Sequence, residues 1–536
     1  MVTSAASSVS RPELVIALVC PLGARVDALE EAIPKALAPF DYKCYSIHVS
    51  DLLKNFSSWT GEADASEETR LRNRQRHAAA FREAGGQSAL ARAAIAEIRK
   101  RRREITGSPD TAANGVAYVL RQIKHPHEIQ CLRRTYGPSL LVIAGHAPEK
   151  ARIDSLAALL AQTAGKGSAR DFDNKAGILI DTDQSGDASA DSKEGFGQNT
   201  RDAYPLADFF ADLSAGEGGS VSRFLDLVFG HPFHSPTAEE IAMHQASAMA
   251  LRSSDERRQV GAVIVKRTPR GPVMDQFADA TVVASGMNEV PRRQGGYYWD
   301  LDSPDGRDQY LRQSNKGFDR EEQIKLDTLR EIAERLRANK WLAPEVSELN
   351  ETELTNRLLK LLDRTQFSSI SEFMRQVHAE MAAIVDAAMR GVAVRECEMY
   401  VTTFPCHGCA KHIIASGIRK VVFLEPYPKS KAEMLHKEEI ALDPQHRLPS
   451  DDRVLFIPFT GIAPRQFARL FSMATRGRKN GHSLDAWRKQ QATLTPQFVI
   501  AHAELAYIRA ERDELELLPE KFKWDRQALA PPIATT

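Results

Sequence analysis

Two short segments in the second half of the chain carry side chains suited to binding a soft cation: His378-Ala379-Glu380 and Pro405-Cys406-His407-Gly408-Cys409. Thiolate and imidazole are the ordinary ligands of Zn2+, and the Cys-x-x-Cys spacing lets two thiolates meet one ion from a single helical turn. With His378 as third ligand, a tetrahedral ion keeps one corner for water, the arrangement of a catalytic zinc rather than a structural one. Water held at such an ion ionises near neutral pH. Glu380 is not needed for coordination, and two residues past the ligand it is placed to take and return a proton. A lone Cys-x-x-Cys also suits a redox pair or half of a structural zinc site. Neither use explains why a histidine and a glutamate should accompany it. His407 lies between the cysteines and would point away from a shared ion, so it reads as a surface residue or one that supports the ligands from behind.

His378 and Cys406 are 28 residues apart, so the fold must bring them together. Apolar periodicity supplies the elements. Helix 378–390, strand Glu398–Thr403, helix 407–416 and strand Lys420–Leu424 put each ligand segment at the start of a helix. Upstream, helix 238–252 and strands Gly261–Lys266 and Thr281–Met287 belong to the same α/β unit, and residues 300 to 370 read as a polar helical insertion. The first part of the chain has its own pattern. Leu14–Val19 is a buried strand, Val26–Leu37 a helix and residues 42 to 49 a second strand. One long helical stretch is expected from about Gln75 to Arg103. Strand-like runs Gly115–Leu120 and Ser139–Gly145 flank a helix at Glu128–Tyr136. Strands alternating with helices predict a doubly wound sheet over residues 12 to about 180. Residues 181–199 turn to Asp, Ser and Gly and read as a solvated surface loop. Residues 200–235 carry apolar positions at helical intervals and read as a bridge between two domains.

The charge balance is neutral, with 71 Lys and Arg against 71 Asp and Glu, which argues against a chain that coats nucleic acid. No apolar window approaches the roughly 18 residues of a membrane span, and the first residues lack the pattern of a signal peptide. Six cysteines are too few for a disulfide scaffold in 536 residues. These observations together predict a cytoplasmic protein with free thiols. Cys20, Cys44, Cys131 and Cys397 read as buried small apolar residues. Two local patterns invite over-reading. Asp181-Thr182-Asp183-Gln184-Ser185-Gly186-Asp187 opens like a calcium loop, but Ser192 stands where the closing glutamate is required. The basic run Arg99 to Arg103 ends a helix, where cations suit the dipole, and RNA contact is the less favoured reading.

The H-x-E and P-C-x-x-C pair is the signature of the zinc nucleobase deaminases, in which the glutamate passes protons to a ring nitrogen and the leaving ammonia. Residues 253–265, 285–291, 399–406 and 410–418 resemble the deoxycytidylate deaminase family. That resemblance implies a sugar contact for Asn288 and phosphate contacts for Arg257 or Arg258. Where the family has Asn-Gly, this chain has Asn288-Glu289. Residues 124–137, 197–210 and 426–430, in this order around the deaminase motifs, resemble the bacterial anti-phage dCTP deaminases. The resemblance implies an N-terminal P-loop nucleotide-kinase-like doubly wound sheet joined to a C-terminal cytidine/deoxycytidylate deaminase-like α/β/α domain. The expected boundaries are 11–200 for the first domain, 201–236 for linker helices, 237–465 for the zinc domain and 466–536 for a helical extension. It also implies deamination of dCTP or dCMP in phage defence, self-association and, in some members, restraint by a small RNA. The loop that would cradle phosphate, Cys20 to Asp27, lacks Gly-Lys-Ser/Thr. ATP hydrolysis is not expected there; Gly23 and Arg25 are the candidate nucleotide contacts, and a structural turn is the commoner outcome. Other readings are a housekeeping dCMP deaminase, a nucleic-acid or tRNA base deaminase, and a nucleotide sensor with a structural zinc.

Overall fold

The computed structural model describes residues 11–55, 59, 66–165, 167–185, 195–214, 221–256, 258–268, 279–302, 305–307, 320–362, 374–426, 430–442, 451–472, 484–498 and 504–518. Two six-stranded sheets organise them. The first has the order β12-β5-β4-β1-β3-β2, built from β1 (Leu14–Val19), β2 (Lys43–His48), β3 (Val116–Arg121), β4 (Leu140–His146), β5 (Phe209–Asp212) and β12 (Gly461–Ile462). All its pairings are parallel except β12 with β5. The second has the order β10-β11-β9-β8-β6-β7, from β6 (Gly261–Thr268), β7 (Asp279–Met287), β8 (Glu398–Thr403), β9 (Lys420–Glu425), β10 (Ile440–Ala441) and β11 (Val454–Pro458). There β6 pairs antiparallel with both β7 and β8, and the pairings β8–β9, β9–β11 and β11–β10 are parallel.

Strand β1 is buried along its whole length because both faces of its sheet are covered. Val15, Ala17 and Val19 face helices Glu67–Gly85, Ala89–Thr106 and Pro126–Tyr136, while Leu14, Ile16 and Leu18 face helices Val26–Leu37 and Val221–Val228. The second sheet repeats this period of two. Val263, Val265 and Tyr400 pack with helix Ala238–Ala250 and join the core of the first sheet, whereas Ala262, Ile264, Met399 and Val401 face helices Ala379–Met389 and His407–Ala415. One apolar core thus runs between the sheets, and the site helices lie on the far side of the second.

Several expectations need correction. The helical stretch 75–103 is two helices, because Gly86 takes φ +85° and ends the first. The segment 201–236 is not helical throughout: Phe209–Asp212 forms β5 in the first sheet, and a short apolar run carries too little periodicity to separate strand from helix. The segment to residue 465 also crosses back, since β12 closes the first sheet's edge. The solvated loop expected from 181 begins inside helix Asp173–Ser185, and Asp183 is buried against Lys124 Nζ at 2.9 Å. An aspartate with a buried lysine partner need not face water, and its helical backbone is not a calcium loop; residues 186–194 lie outside the described residues.

The basic run does end a helix, Ala89–Thr106, and Lys100, Arg101 and Arg103 are exposed there, but its other two cations are not. Arg99 and Arg102 are fully buried, paired with Glu511 of helix Glu504–Glu516 at 3.1 and 2.7 Å, and Arg102 also binds Glu13 at 2.8 Å. The C-terminal helix is therefore locked to the first sheet by charge. Cys20, Cys131 and Cys397 are buried, and Cys44 is half-buried. No helix among the described residues is long and apolar enough to cross a membrane.

Candidate active site

His378 and Cys406 are each the residue that starts a helix, with extended backbone at φ −66°, ψ 153° and φ −68°, ψ 163°. Ser, Thr, Asp or Asn usually fill that position because their side chains cap the first free N–H groups. Here neither side chain caps its helix. Both are turned to one another instead: His378 Nδ1 lies 3.4 Å from Cys406 Sγ and 3.3 Å from Cys409 Sγ. The three donor atoms all fall within 4.8 Å of one another. A tetrahedral zinc with roughly 2.3 Å bonds to sulfur and 2.05 Å to nitrogen requires N and S about 3.6 Å apart. The donor set and its spacing fit zinc, and these residues would hold it.

The protonation of the cluster points the same way. The Cys406 thiol is pulled down to about 3, first by a hydrogen bond from Cys409, which outweighs burial, with His378 adding to it. His378 is raised to about 9, chiefly by its hydrogen bond to Cys406. Cys409 is pushed up by its bond to Cys406 and by burial. Protons shared so closely among nitrogen and sulfur are those that a divalent cation displaces. Glu380 is buried, and burial raises its carboxyl above the usual value, with charge on Cys406 acting in the same direction. His407 is exposed.

What fixes the His378 helix against the sheet is close packing at a glycine. A Cβ on Gly286 would stand 2.3 Å from both Ala379 O and Ala383 N, so β7 touches the backbone of the ligand helix directly. Asp386 of that helix accepts from Ser285 N at 3.1 Å. Val377, just before the ligand, exchanges backbone hydrogen bonds with Glu289 at 3.2 and 3.0 Å. On the other side Ser430 Oγ donates to Pro405 O at 2.8 Å.

Asn288 is buried, and its amide is engaged within the chain: Oδ1 accepts from Val260 N and Nδ2 donates to Arg258 O, both at 2.7 Å. Arg258 is ion-paired with Glu425. Arg257 lies outside the described residues. Glu289, at the position where the family pattern differs, is buried; it accepts from Ser254 N and Oγ at 3.1 and 2.6 Å and faces Arg307 at 3.7 Å. Arg307 also binds Asp305 and donates to Ser254 Oγ at 3.3 Å. Sequence reasoning missed this cluster because Arg307 comes from the polar insertion, and nothing in local spacing ties it to Ser254. It missed Thr403 as well, whose buried Oγ1 has no partner among the described residues and sits three residues before Cys406. After β1 of the first sheet, Gly23 takes φ +84° and lies against Arg152, whose carbonyl oxygen would be 2.5 Å from an added Cβ; Arg25 is exposed at the start of helix Val26–Leu37.

Fold and donor set together define an α/β unit whose His378, Cys406 and Cys409 could hold a metal, with the buried carboxyl of Glu380 hydrogen-bonded to Cys409 beside them. Residues 236–425 match the family model described as the cytidine and deoxycytidylate deaminase zinc-binding region, and the chain carries that region. Among curated relatives, the deoxycytidylate deaminase of Enterobacteria phage T2 is 48% identical over 56 residues, 10% of this chain and 30% of the relative. ComE operon protein 2 of Bacillus subtilis (strain 168) is 45% identical over 53 residues, 10% and 28% of the two chains. The Homo sapiens deoxycytidylate deaminase is 47% identical over 47 residues, 9% and 25%. The chain thus spans less than a third of each of these relatives. The crystal structure of dCMP deaminase from cyanophage S-TIM5 aligns over 42% of this chain and 99% of its own, at 15% identity and a TM-score of 0.20. A score that low carries no argument about this chain.

Proposed function

We propose that this chain hydrolyses the exocyclic amine of deoxycytidine nucleotides, dCTP or dCMP, giving dUTP or dUMP and ammonia. The observation that carries the reading is His378 Nδ1 meeting two cysteine sulfurs beside a buried, proton-ready Glu380. Zinc, when bound, supplies a Lewis acid that makes water a nucleophile at neutral pH. The chain's own part is proton traffic. Glu380 accepts a proton from the attacking water at its carboxylate and delivers it to the pyrimidine N3, then takes the proton of the new C4 hydroxyl and passes it to the amine, which leaves as ammonia while the C4 carbonyl forms. Its raised pKa suits a group that must hold and release a proton near neutrality. Thr403 Oγ1 is available to bind substrate, and Asn288 shapes the wall on which the sugar would rest.

The order of segments shared with the anti-phage dCTP deaminases supports a role in depleting dCTP during infection, with self-association and an inhibitory small RNA as parts of the same proposal. The names of the matched relatives favour the second reading, a housekeeping dCMP deaminase. Zinc-loaded protein should therefore be offered dCTP, dCMP, CTP, cytidine and single-stranded DNA, with products identified by mass. Uracil nucleotide from dCTP or dCMP is expected; turnover of none of the five overturns the reading. In the same assay Glu380→Gln should keep its zinc and lose about 10²- to 10⁴-fold in rate, whereas Cys406→Ser should lose both zinc and turnover.

A further inference from the structure

Three distant parts of the chain meet in a buried charge cluster that the proposed chemistry does not use. Glu289 follows β7, Ser254 opens the loop between helix Ala238–Ala250 and β6, and Arg307 comes from the insertion. Glu289 and Arg307 are both buried, and a buried charge is costly unless it is paired and hydrogen-bonded. Here the pairing is thorough. Glu289 Oε1 accepts from Val290 N at 2.9 Å, and Oε2 accepts from Ser254 N and Oγ at 3.1 and 2.6 Å. Arg307 Nη1 donates to Ser254 Oγ at 3.3 Å and stands 3.7 Å from Glu289 Oε2. Its Nε donates to Asp305 Oδ2 at 2.9 Å, and Nη2 to Trp299 O at 3.4 Å. The Ser254 hydroxyl, one donor with two lone pairs, thus links the carboxylate to the guanidinium.

The cluster joins two segments that flank the candidate site. One is the loop from Ser253 to Val260. Ser253 Oγ donates to Asn288 O and Gln259 Nε2 to Ser253 O, both at 2.6 Å, so the loop is folded on itself and against the end of β7. It lies beside the metal ligands: His378 is raised chiefly by its hydrogen bond to Cys406, and the charge of Asp255 adds to the rise. The other segment is the stretch that leads into His378. Val377 exchanges backbone hydrogen bonds with Glu289, and Arg375 Nη1 donates to Gly306 O at 3.1 Å. Residues 305–307 therefore hold the loop on one side and the approach to the ligand helix on the other.

A second tie runs parallel to the first. The Arg252 guanidinium, two residues before Ser254, lies 3.4 Å over the ring of Trp299, whose carbonyl Arg307 binds. The loop's own backbone donors turn inward: Asp255 N donates to Ser253 Oγ at 3.2 Å, Arg258 N to Asp255 Oδ1 at 3.3 Å and Val260 N to Asn288 Oδ1 at 2.7 Å. None of these bonds reaches the insertion. Ser254 is the residue through which the cluster grips the loop, by both its amide and its hydroxyl.

We propose that Arg307 and Glu289 are a positioning pair: they clamp the loop that starts at Ser254 against the approach to the ligand helix, and so set how tightly substrate is held without touching the reacting atoms. The claim about substrate rests on the deaminase reading; the claim about the loop does not. The full zinc-loaded chain should be compared with Arg307→Met, Arg307→Lys and the isosteric Glu289→Gln. Arg307→Met and Glu289→Gln should keep their zinc and raise KM about tenfold for whichever cytosine nucleotide the parent turns over, with kcat within about threefold, the mark of lost uniform binding. Arg307→Lys should recover part of the loss. Without nucleotide, hydrogen exchange at the amides of Ser254, Asp255, Arg258 and Val260 should speed up in Arg307→Met and Glu289→Gln, while β6 and β8 exchange as in the parent. Parental exchange in the loop, an equal rise in β6 and β8, a fall in kcat at unchanged KM, or Arg307→Lys no better than Arg307→Met would each overturn the proposal. The exchange measurement uses no nucleotide, so it decides the clamp even where the parent deaminates nothing, an outcome that would instead count against the proposed reaction.

Discussion

Replacing Gly286 by alanine tests whether contact between β7 and the ligand helix sets the site. The added Cβ would sit 2.3 Å from Ala379 O and from Ala383 N, where ordinary contact begins near 3.4 Å. Both clashing atoms are backbone, so no side chain can swing aside, and the helix must back away by about 1 Å. His378 and Glu380 travel with it, whereas Cys406 and Cys409 stay on the helix after β8. Overpacking of this kind costs about 1–3 kcal/mol in stability. Misplacing reacting groups by about 1 Å costs on the order of a hundredfold in rate. The variant should therefore still fold, bind zinc more weakly in a competition with a chelator, and lose about 10²-fold in turnover of whichever cytosine nucleotide the parent accepts. Cobalt substituted for zinc would report the ligand geometry through its visible spectrum. A variant with parental zinc affinity, cobalt spectrum and turnover would refute the idea that this contact positions the site.

Three other outcomes follow from the geometry. Asn288→Ala removes bonds to the backbone of Arg258 and Val260, so it should lower stability by about 1–3 kcal/mol; an unchanged melting temperature with a raised KM would assign Asn288 to substrate alone. Glu511→Ala strips Arg99 and Arg102 of a buried partner, an imbalance worth about 3–5 kcal/mol. Limited proteolysis should then release the segment 504–516, and protease resistance equal to the parent would contradict this. Burial holds the imidazoles of His125 and His146 down to about 4 from 6.5, so the unfolded chain takes up protons that the folded one refuses. Stability should be full above pH 6.5 and fall as pH drops toward 4; a flat melting temperature across that window would count against it.

The parts of the fold that could be read from sequence were those where one local rule decides. Leu14–Val19 and Glu398–Thr403 are buried strands, and Val26–Leu37 is an amphipathic helix after a Pro and Gly break; their observed limits match the expected ones. Phe209-Phe210 misled because two aromatics suit a helix face as well as a strand. β12 has two residues and leaves no periodic trace. Charge misled for a different reason: Asp183 reads as solvated, and the burial of Arg99 and Arg102 at their helix end is not legible, until their distant partners are known. The site divides along the same line. The His-x-Glu and Cys-x-x-Cys spacings name the ligands, but Gly286 against Ala379 and Arg307 against Ser254 are meetings between segments dozens of residues apart.

The return of β12 to the first sheet has a consequence for biosynthesis. Among the described residues, strand β5 has its outer edge paired with Gly461 and Ile462, about 250 residues further along the chain. At roughly 5–20 residues per second a ribosome needs about 12–50 s to reach them. Glu13 and Arg102 wait still longer for Tyr507 and Glu511. During that interval the nascent first half presents an open sheet edge and an ion cluster short of its last partners, the kind of exposed strand edge that favours pairing with another chain.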